Sequence, residues 1–312
     1  ARAFWQLTDA ERQMAAEYAL RPGSLAYNIE NTITLRGDVD PRRWERALRE
    51  LVSRHRILRS CYPMRDSEHT HVVRDDMPVE LTRIACAPEE AEGHIKALNL
   101  PYNLEEGPLF RFALMETGPD TGVLLLGFHH ILLDGSCIEI LLKDLEDLYN
   151  AKPLPPPGPD LLDWAVWREE HPRGPESEQF FKEMFKDGLP EIDMPTRPIR
   201  PEAQPVGDRT VFWALPAKPM DDAARRYGVT AYTLMMAVVG MVLGKYTAGE
   251  DVVLGTAMSG RVAACSRSIV GMFANTVVAR LKPAGAARFD DYLAEGDRVL
   301  GGVKRHLFSP FH

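Results

Sequence analysis

From Val123 to Phe128 the chain reads Val-Leu-Leu-Leu-Gly-Phe, an apolar run of strand length with no polar alternation. After it Ile138, Leu141, Leu142, Leu145 and Leu148 recur at helical spacing. The pattern predicts a buried strand, a turn and an amphipathic helix. Upstream, Thr8-Asp9-Ala10-Glu11 has the form of a capping box and opens a helix through Met14, Ala15, Tyr18 and Ala19, which Pro22-Gly23 stops. Ala26 to Leu35 alternates as a strand does, and Gly37 ends it. Asp40-Pro41 starts a second helix, with Trp44, Ala47, Leu48, Leu51, Val52 and His55 on one face. Arg54 to Tyr62 is basic and then strand-like, and Tyr102 to Arg111 is turn-rich and leads into another strand.

From Pro153 to Pro159 neither period survives. A proline run of this kind is a stiff, non-helical linker, and the boundary between two domains, 1–157 and 158–312, is placed there. Beyond it, Trp164 and Trp167 sit three apart on a short helix and read as core anchors. A helix over 176–190 and an extended stretch from Pro195 to Pro205 follow. Thr230 then opens a long apolar helix through Leu234, Met235, Val238, Val239 and Leu243, whose methionines read as packing. Strands are expected over 251–257 and 272–281. Strands alternating with helices in both halves argue for an α/β fold.

Composition narrows the classes. A chain of 312 residues, 45% hydrophobic, can bury a sizeable core. Its net charge of −8, without a Lys/Arg-rich block, argues against a nucleic-acid footprint. Cys61, Cys86, Cys137 and Cys265 lack CxxC spacing, so neither a zinc site nor a disulfide framework is indicated, and reduced cytoplasmic thiols are expected. No apolar run is long enough to span a membrane, and no signal-peptide pattern opens the chain.

The candidate chemistry lies in the turn between the buried strand and its helix: His129-His130-Ile131-Leu132-Leu133-Asp134-Gly135. In α/β folds such strand ends carry function. A neutral imidazole there suits a general base. Two imidazoles and a carboxylate could instead ligate a metal, although neighbouring strand residues point to opposite faces and share one ion poorly. A polar strand end with satisfied hydrogen bonds is the third reading. For the arginines of 54–59, a solvated helix end competes with a role as partner to a buried Asp134.

Taken in order, these segments resemble the condensation domain of nonribosomal peptide synthetases, in the chloramphenicol-acetyltransferase-like superfamily. His129-His130-x3-Asp134-Gly135 resembles the family's HHxxxDG. Arg54 to Arg59 is similar to RHExLR, with Arg56 where the family usually has glutamate. Tyr102 to Arg111 resembles FDLxxGPLxR, Asp163 to Trp167 resembles DYAxWQ, and Val270 to Thr276 resembles GxFxNT. His306 to His312 resembles HQDxPFE, after which the family's domains normally continue.

The resemblance implies two chloramphenicol-acetyltransferase-like lobes in a V-shaped pseudo-dimer, the second lobe incomplete. It implies amide-bond formation between a donor acyl or peptidyl thioester and an acceptor aminoacyl thioester, each on the phosphopantetheine arm of a carrier domain. A neighbouring adenylation domain is expected as well. No permanently bound cofactor and no metal are called for, since a thioester is already activated. His130 would act as base or hold the amine, and Gly135 would permit a tight turn and aim a backbone N–H at the oxyanion. His129 would be structural, and Asp134 would be ion-paired with Arg59 or Arg54. Ser136, Cys137 and Asn275 would line the substrate channel. Three other readings stay open: an acyltransferase using coenzyme A or one carrier, a non-catalytic platform that recruits another enzyme, and an epimerase of the same fold.

Overall fold

A computed structural model describes residues 4–21, 23–171, 174–191, 215–247, 251–261, 263–283 and 288–307. The expected extended stretch at 195–205 and the end of the chain from 308 lie outside these residues. The chain divides into two compact units, the first formed by Ala1–Pro172 with Ser259–Ala274, the second by Arg173–Met258 with Asn275–His312. The proline run at 153–159, where the boundary was expected, therefore lies inside the first unit. It connects two helices of the same unit, and stiffness alone does not make a linker a domain border.

The first unit is built on a four-stranded sheet. Its elements are α1 (Asp9–Leu20), β1 (Asn28–Arg36), α2 (Pro41–Arg54), β2 (Leu81–Ala85), α3 (Ala91–Leu98), β3 (Phe110–Gly118), β4 (Thr121–His129), α4 (Ser136–Tyr149) and α5 (Leu161–Glu170). The strand order is β1-β4-β3-β2, with β4 antiparallel to both neighbours and β2 parallel to β3. The apolar run of β4 follows from that position, because both of its faces are covered. Ala113, Met115, Val123 and Leu125 form one face, closed by Ala91, Ile95 and Leu98 of α3. Phe112, Leu114, Leu124, Leu126 and Phe128 form the other and are buried. Burying each of these larger side chains is worth about 1.5–3 kcal/mol, so the sheet's centre is the rigid floor of the unit.

Capping fixes the helices that flank this floor. Thr8 and Glu11 form the expected capping box, and Asp40 caps α2 with Pro41 at its first position. Glu11 is fully buried. It accepts hydrogen bonds from the Tyr62 hydroxyl and the Thr8 N–H and pairs with Nδ1 of His71 at 2.9 Å. Burial alone would raise its pKa, but the charge and hydrogen bond of His71, with those of Thr8 and Tyr62, outweigh burial and hold it below the usual carboxylate range.

The second unit contains α6 (Pro175–Met184), α7 (Ala217–Tyr227), α8 (Ala231–Thr247), the strand pair β5 (Val252–Ser259) and β6 (Ala274–Leu281), and α9 (Phe289–Arg305). Leu234, Ala237, Val277, Ala279, Leu281, Leu293, Leu300 and Val303 lie in its core, with Met236 and Met241 packed against them. Gly240 allows the close approach of α8 to α9, since a Cβ there would meet the Tyr292 hydroxyl at 2.6 Å. Among the described residues no single helix is long and apolar enough to cross a membrane.

Candidate active site

β4 ends on His129, and His130 opens the short 3-10 turn that follows. His129 donates its N–H to the Leu109 carbonyl at 2.9 Å, whereas His130 donates its N–H to that of Tyr27 at 2.7 Å. Consecutive residues are thus held from opposite edges of the strand. The His129 ring is buried among the rings of Tyr18, Tyr27 and Tyr102, with centroids 6.1–6.5 Å away. Its Nδ1 accepts the Ile131 N–H at 3.1 Å, which requires a lone pair there and places the proton of the neutral ring on Nε2. Burial first, and the neighbouring His130 second, push its pKa down to about 4. His129 is a neutral cap for the turn that follows. The His130 ring is partly exposed, and its buried Nδ1 has no hydrogen-bond partner among the described residues.

Asp134 is 4% exposed and is held by a residue that sequence spacing did not suggest. Its oxygens accept Arg261 Nη2 at 3.1 and 3.2 Å, the Phe273 N–H at 3.1 Å and the Ser136 N–H at 3.0 Å. The Arg261 side chain is as deeply buried and also donates to the carbonyls of Ser266, Ile269 and Gly271. It thereby gathers residues 263–273 around the carboxylate. The expected pairing with Arg59 or Arg54 is corrected by this geometry. Arg59 faces Asp75, and Arg54 binds Asp144 at 2.9 Å and the Pro155 carbonyl at 2.8 Å. Both arginines are nearer to Asp134 in sequence, but α2 delivers Arg54 to α4 and the proline run, and Arg59, beyond the end of that helix, turns to Asp75.

The remaining candidates separate. Gly135 has φ −56° and ψ −28°, so no left-handed turn requires a glycine, and a Cβ would meet nothing within 4 Å. The expected tight-turn role is corrected accordingly. Gly135 is exposed at the start of α4, where the first backbone N–H groups of a helix point outward with the positive end of its dipole. Ser136 is exposed beside it. Cys137 is fully buried and does not line an open channel. Asn275 belongs to the second unit, where its side-chain amide donates to the Leu307 carbonyl.

A cavity of about 610 Å³ in the first unit is walled by Arg54, His55, Asp144, Asp160 and the proline run, and includes neither His129 nor His130. Among the described residues, no group of three or more histidine, cysteine, aspartate or glutamate side chains is placed to hold a metal ion.

The condensation-domain family model matches residues 2–312, and the chain belongs to that family, the condensation domains of nonribosomal peptide synthetases. Surfactin synthase subunit 2 of Bacillus subtilis (strain 168) is 31% identical over 294 residues, covering 93% of this chain. The chain spans 8% of that relative's length. Among solved structures, the X-domain in its complex with OxyB from teicoplanin biosynthesis aligns with TM-score 0.86 at 22% identity, covering 100% of this chain and 72% of the other. The first condensation domain of the CDA synthetase aligns with TM-score 0.76 at 21% identity, covering 99% and 78%. These likenesses establish the expected α/β fold of the condensation-domain kind.

Proposed function

We propose that this chain joins a donor acyl or peptidyl thioester to the amine of an acceptor aminoacyl thioester, both presented on phosphopantetheine arms of carrier domains. The observation that carries this reading is the division between the two histidines. His129 is committed to the turn as a neutral cap, while the ring of His130, which follows it, stays partly exposed and makes no hydrogen bond to a described residue. The acceptor nitrogen attacks the thioester carbonyl carbon, the new C–N bond forms, and the C–S bond breaks. His130 takes the amine's proton and the departing thiol ends with one, so the products are an amide and a free arm. The N–H of Gly135, an exposed residue at the start of α4, donates to the oxyanion of the tetrahedral intermediate. Much of the rate comes from holding two tethered substrates together.

Ser136 and Asn275 remain proposed substrate contacts. The partners are the donor and acceptor carrier domains and an adjoining adenylation domain, in the cytoplasm, with no permanently bound cofactor and no role for nucleic acid. The test mixes the chain with two carriers loaded with different aminoacyl groups and follows both by intact mass. A dipeptidyl carrier supports the reading. Transfer from acyl-CoA in the absence of a carrier would favour the simpler acyltransferase. No transfer in either mixture by folded protein would favour a recruiting platform.

A further inference from the structure

Cys137 is the second residue of α4 and has no accessible surface. Its sulfur is nevertheless surrounded by polar groups. Arg261 Nη2 lies 3.0 Å away, the Gly271 N–H nitrogen 3.3 Å, the Gly271 carbonyl oxygen 3.2 Å and Asp134 Oδ1 3.5 Å. Burial, and after it the Asp134 charge, push the thiol's pKa up to about 11, so the group stays protonated and keeps an S–H to donate. It can then give that hydrogen to the Gly271 carbonyl while receiving the Gly271 N–H and the Arg261 guanidinium.

The backbone of Gly271 is therefore paired on both its groups by one side chain from the first turn of α4. Gly271 cannot retreat easily on its other side, where a Cβ would sit 3.0–3.2 Å from three atoms of Leu161. Asp134 and Cys137 thus grip the same segment at Phe273 and Gly271, with Gly135 and Ser136 strung between them.

We infer that Cys137 is a positioning residue for the condensation step, fixing the Gly135 N–H relative to His130 by tying the first turn of α4 to Gly271. This rests on the reading given under the proposed function. The thiol touches neither substrate nor arm, so its loss acts on the chemical step and leaves carrier binding alone. A shift of about 1 Å in such a donor costs on the order of 100-fold in rate. Cys137→Ala leaves the Gly271 N–H without its acceptor and the Gly271 carbonyl with Arg261 Nη2 alone, and is expected to lower kcat by roughly 10- to 100-fold, with KM for the loaded acceptor carrier changed less than about twofold. Cys137→Ser, which restores a donor and an acceptor, is expected to return kcat to within roughly fivefold of wild type.

The experiment measures kcat and KM for both variants, with thermal unfolding of each. Hydrogen exchange at 134–137 and 269–273 provides a readout independent of activity. Gly271→Ala approaches the same contact from the opposite side, and is expected to reproduce the kcat loss by pressing the segment off Leu161. Faster exchange at Gly271 in Cys137→Ala, together with the kcat loss and its rescue by serine, supports the inference. Undiminished kcat in a folded Cys137→Ala protein overturns it, as does unchanged exchange at Gly271 or an equal loss in KM. An inactive wild type overturns the condensation reading itself, and the exchange arm then decides whether the tether exists.

Discussion

Replacing Asp134 by alanine should damage the fold as well as the chemistry, because of what the carboxylate leaves behind. Both partners of the Asp134–Arg261 pair are buried, with side chains 5% exposed. Removing one member of such a pair costs roughly 3–5 kcal/mol, most of it the penalty of a stranded charge. Arg261 retains the carbonyls of Ser266, Ile269 and Gly271, which places its share at the lower end. The N–H groups of Phe273 and Ser136 also lose their acceptor, adding about 1 kcal/mol where water can enter. A total near 4 kcal/mol corresponds to a Tm lowered by roughly 8–16 °C in a domain of this size. Thermal and urea unfolding of Asp134→Ala and Arg261→Met, singly and combined, would measure it. The double variant should lose less than the two single losses together, since the stranded charge is gone. Asp134→Ala unfolding within about 1 kcal/mol of wild type, or a coupling found to Arg59 in place of Arg261, would refute the reasoning.

Other consequences can be checked in the same way. With a folded-state pKa of about 4 against an unfolded value near 6.5, His129 binds its proton more readily when unfolded. Stability should therefore fall as the pH drops from about 6.5 to 4, by roughly 3 kcal/mol from this residue, and His129→Asn should flatten that limb of the stability–pH curve. Gly135→Ala, at a helical φ and with open space for the methyl group, should raise stability by about 0.4–1 kcal/mol in urea unfolding. Gly135→Pro, which removes that residue's N–H at a φ proline adopts, should lower condensation, and unchanged activity in that folded variant would remove Gly135 from the oxyanion role. Glu11→Ala should cost about 3 kcal/mol by stranding His71 and Tyr62 in the core, and a loss under about 1 kcal/mol in urea unfolding would show that the network is dispensable.

The elements that surround the site were legible because their patterns are local and strong. The β4 run has no alternation because both faces are covered, and α4 shows its stripe plainly. β2 and α3 were missed for the opposite reason. Leu81–Ala85 is an edge strand with three exposed residues, and α3 is short and carries Gly93. The histidine pair, Asp134 and Gly135 could be read as a site from their turn. Arg261 could not, since it lies 127 residues from Asp134 and is brought there by a segment joined to the first unit only in three dimensions. The burial of Cys137 was hidden in the same way, because the residue that covers it, Gly271, comes from that same segment.

The central claim is that the two histidines do different work, and the rate of dipeptidyl-carrier formation tests it most directly. Wild type, His130→Ala and His129→Asn would be compared in single turnovers with both carriers loaded, each protein first shown to be folded. His130→Ala should lose at least about 100-fold. His129→Asn, whose side-chain oxygen can still accept the Ile131 N–H, should stay within about tenfold of wild type. Full activity in folded His130→Ala, or equal losses in the two variants, would contradict the account.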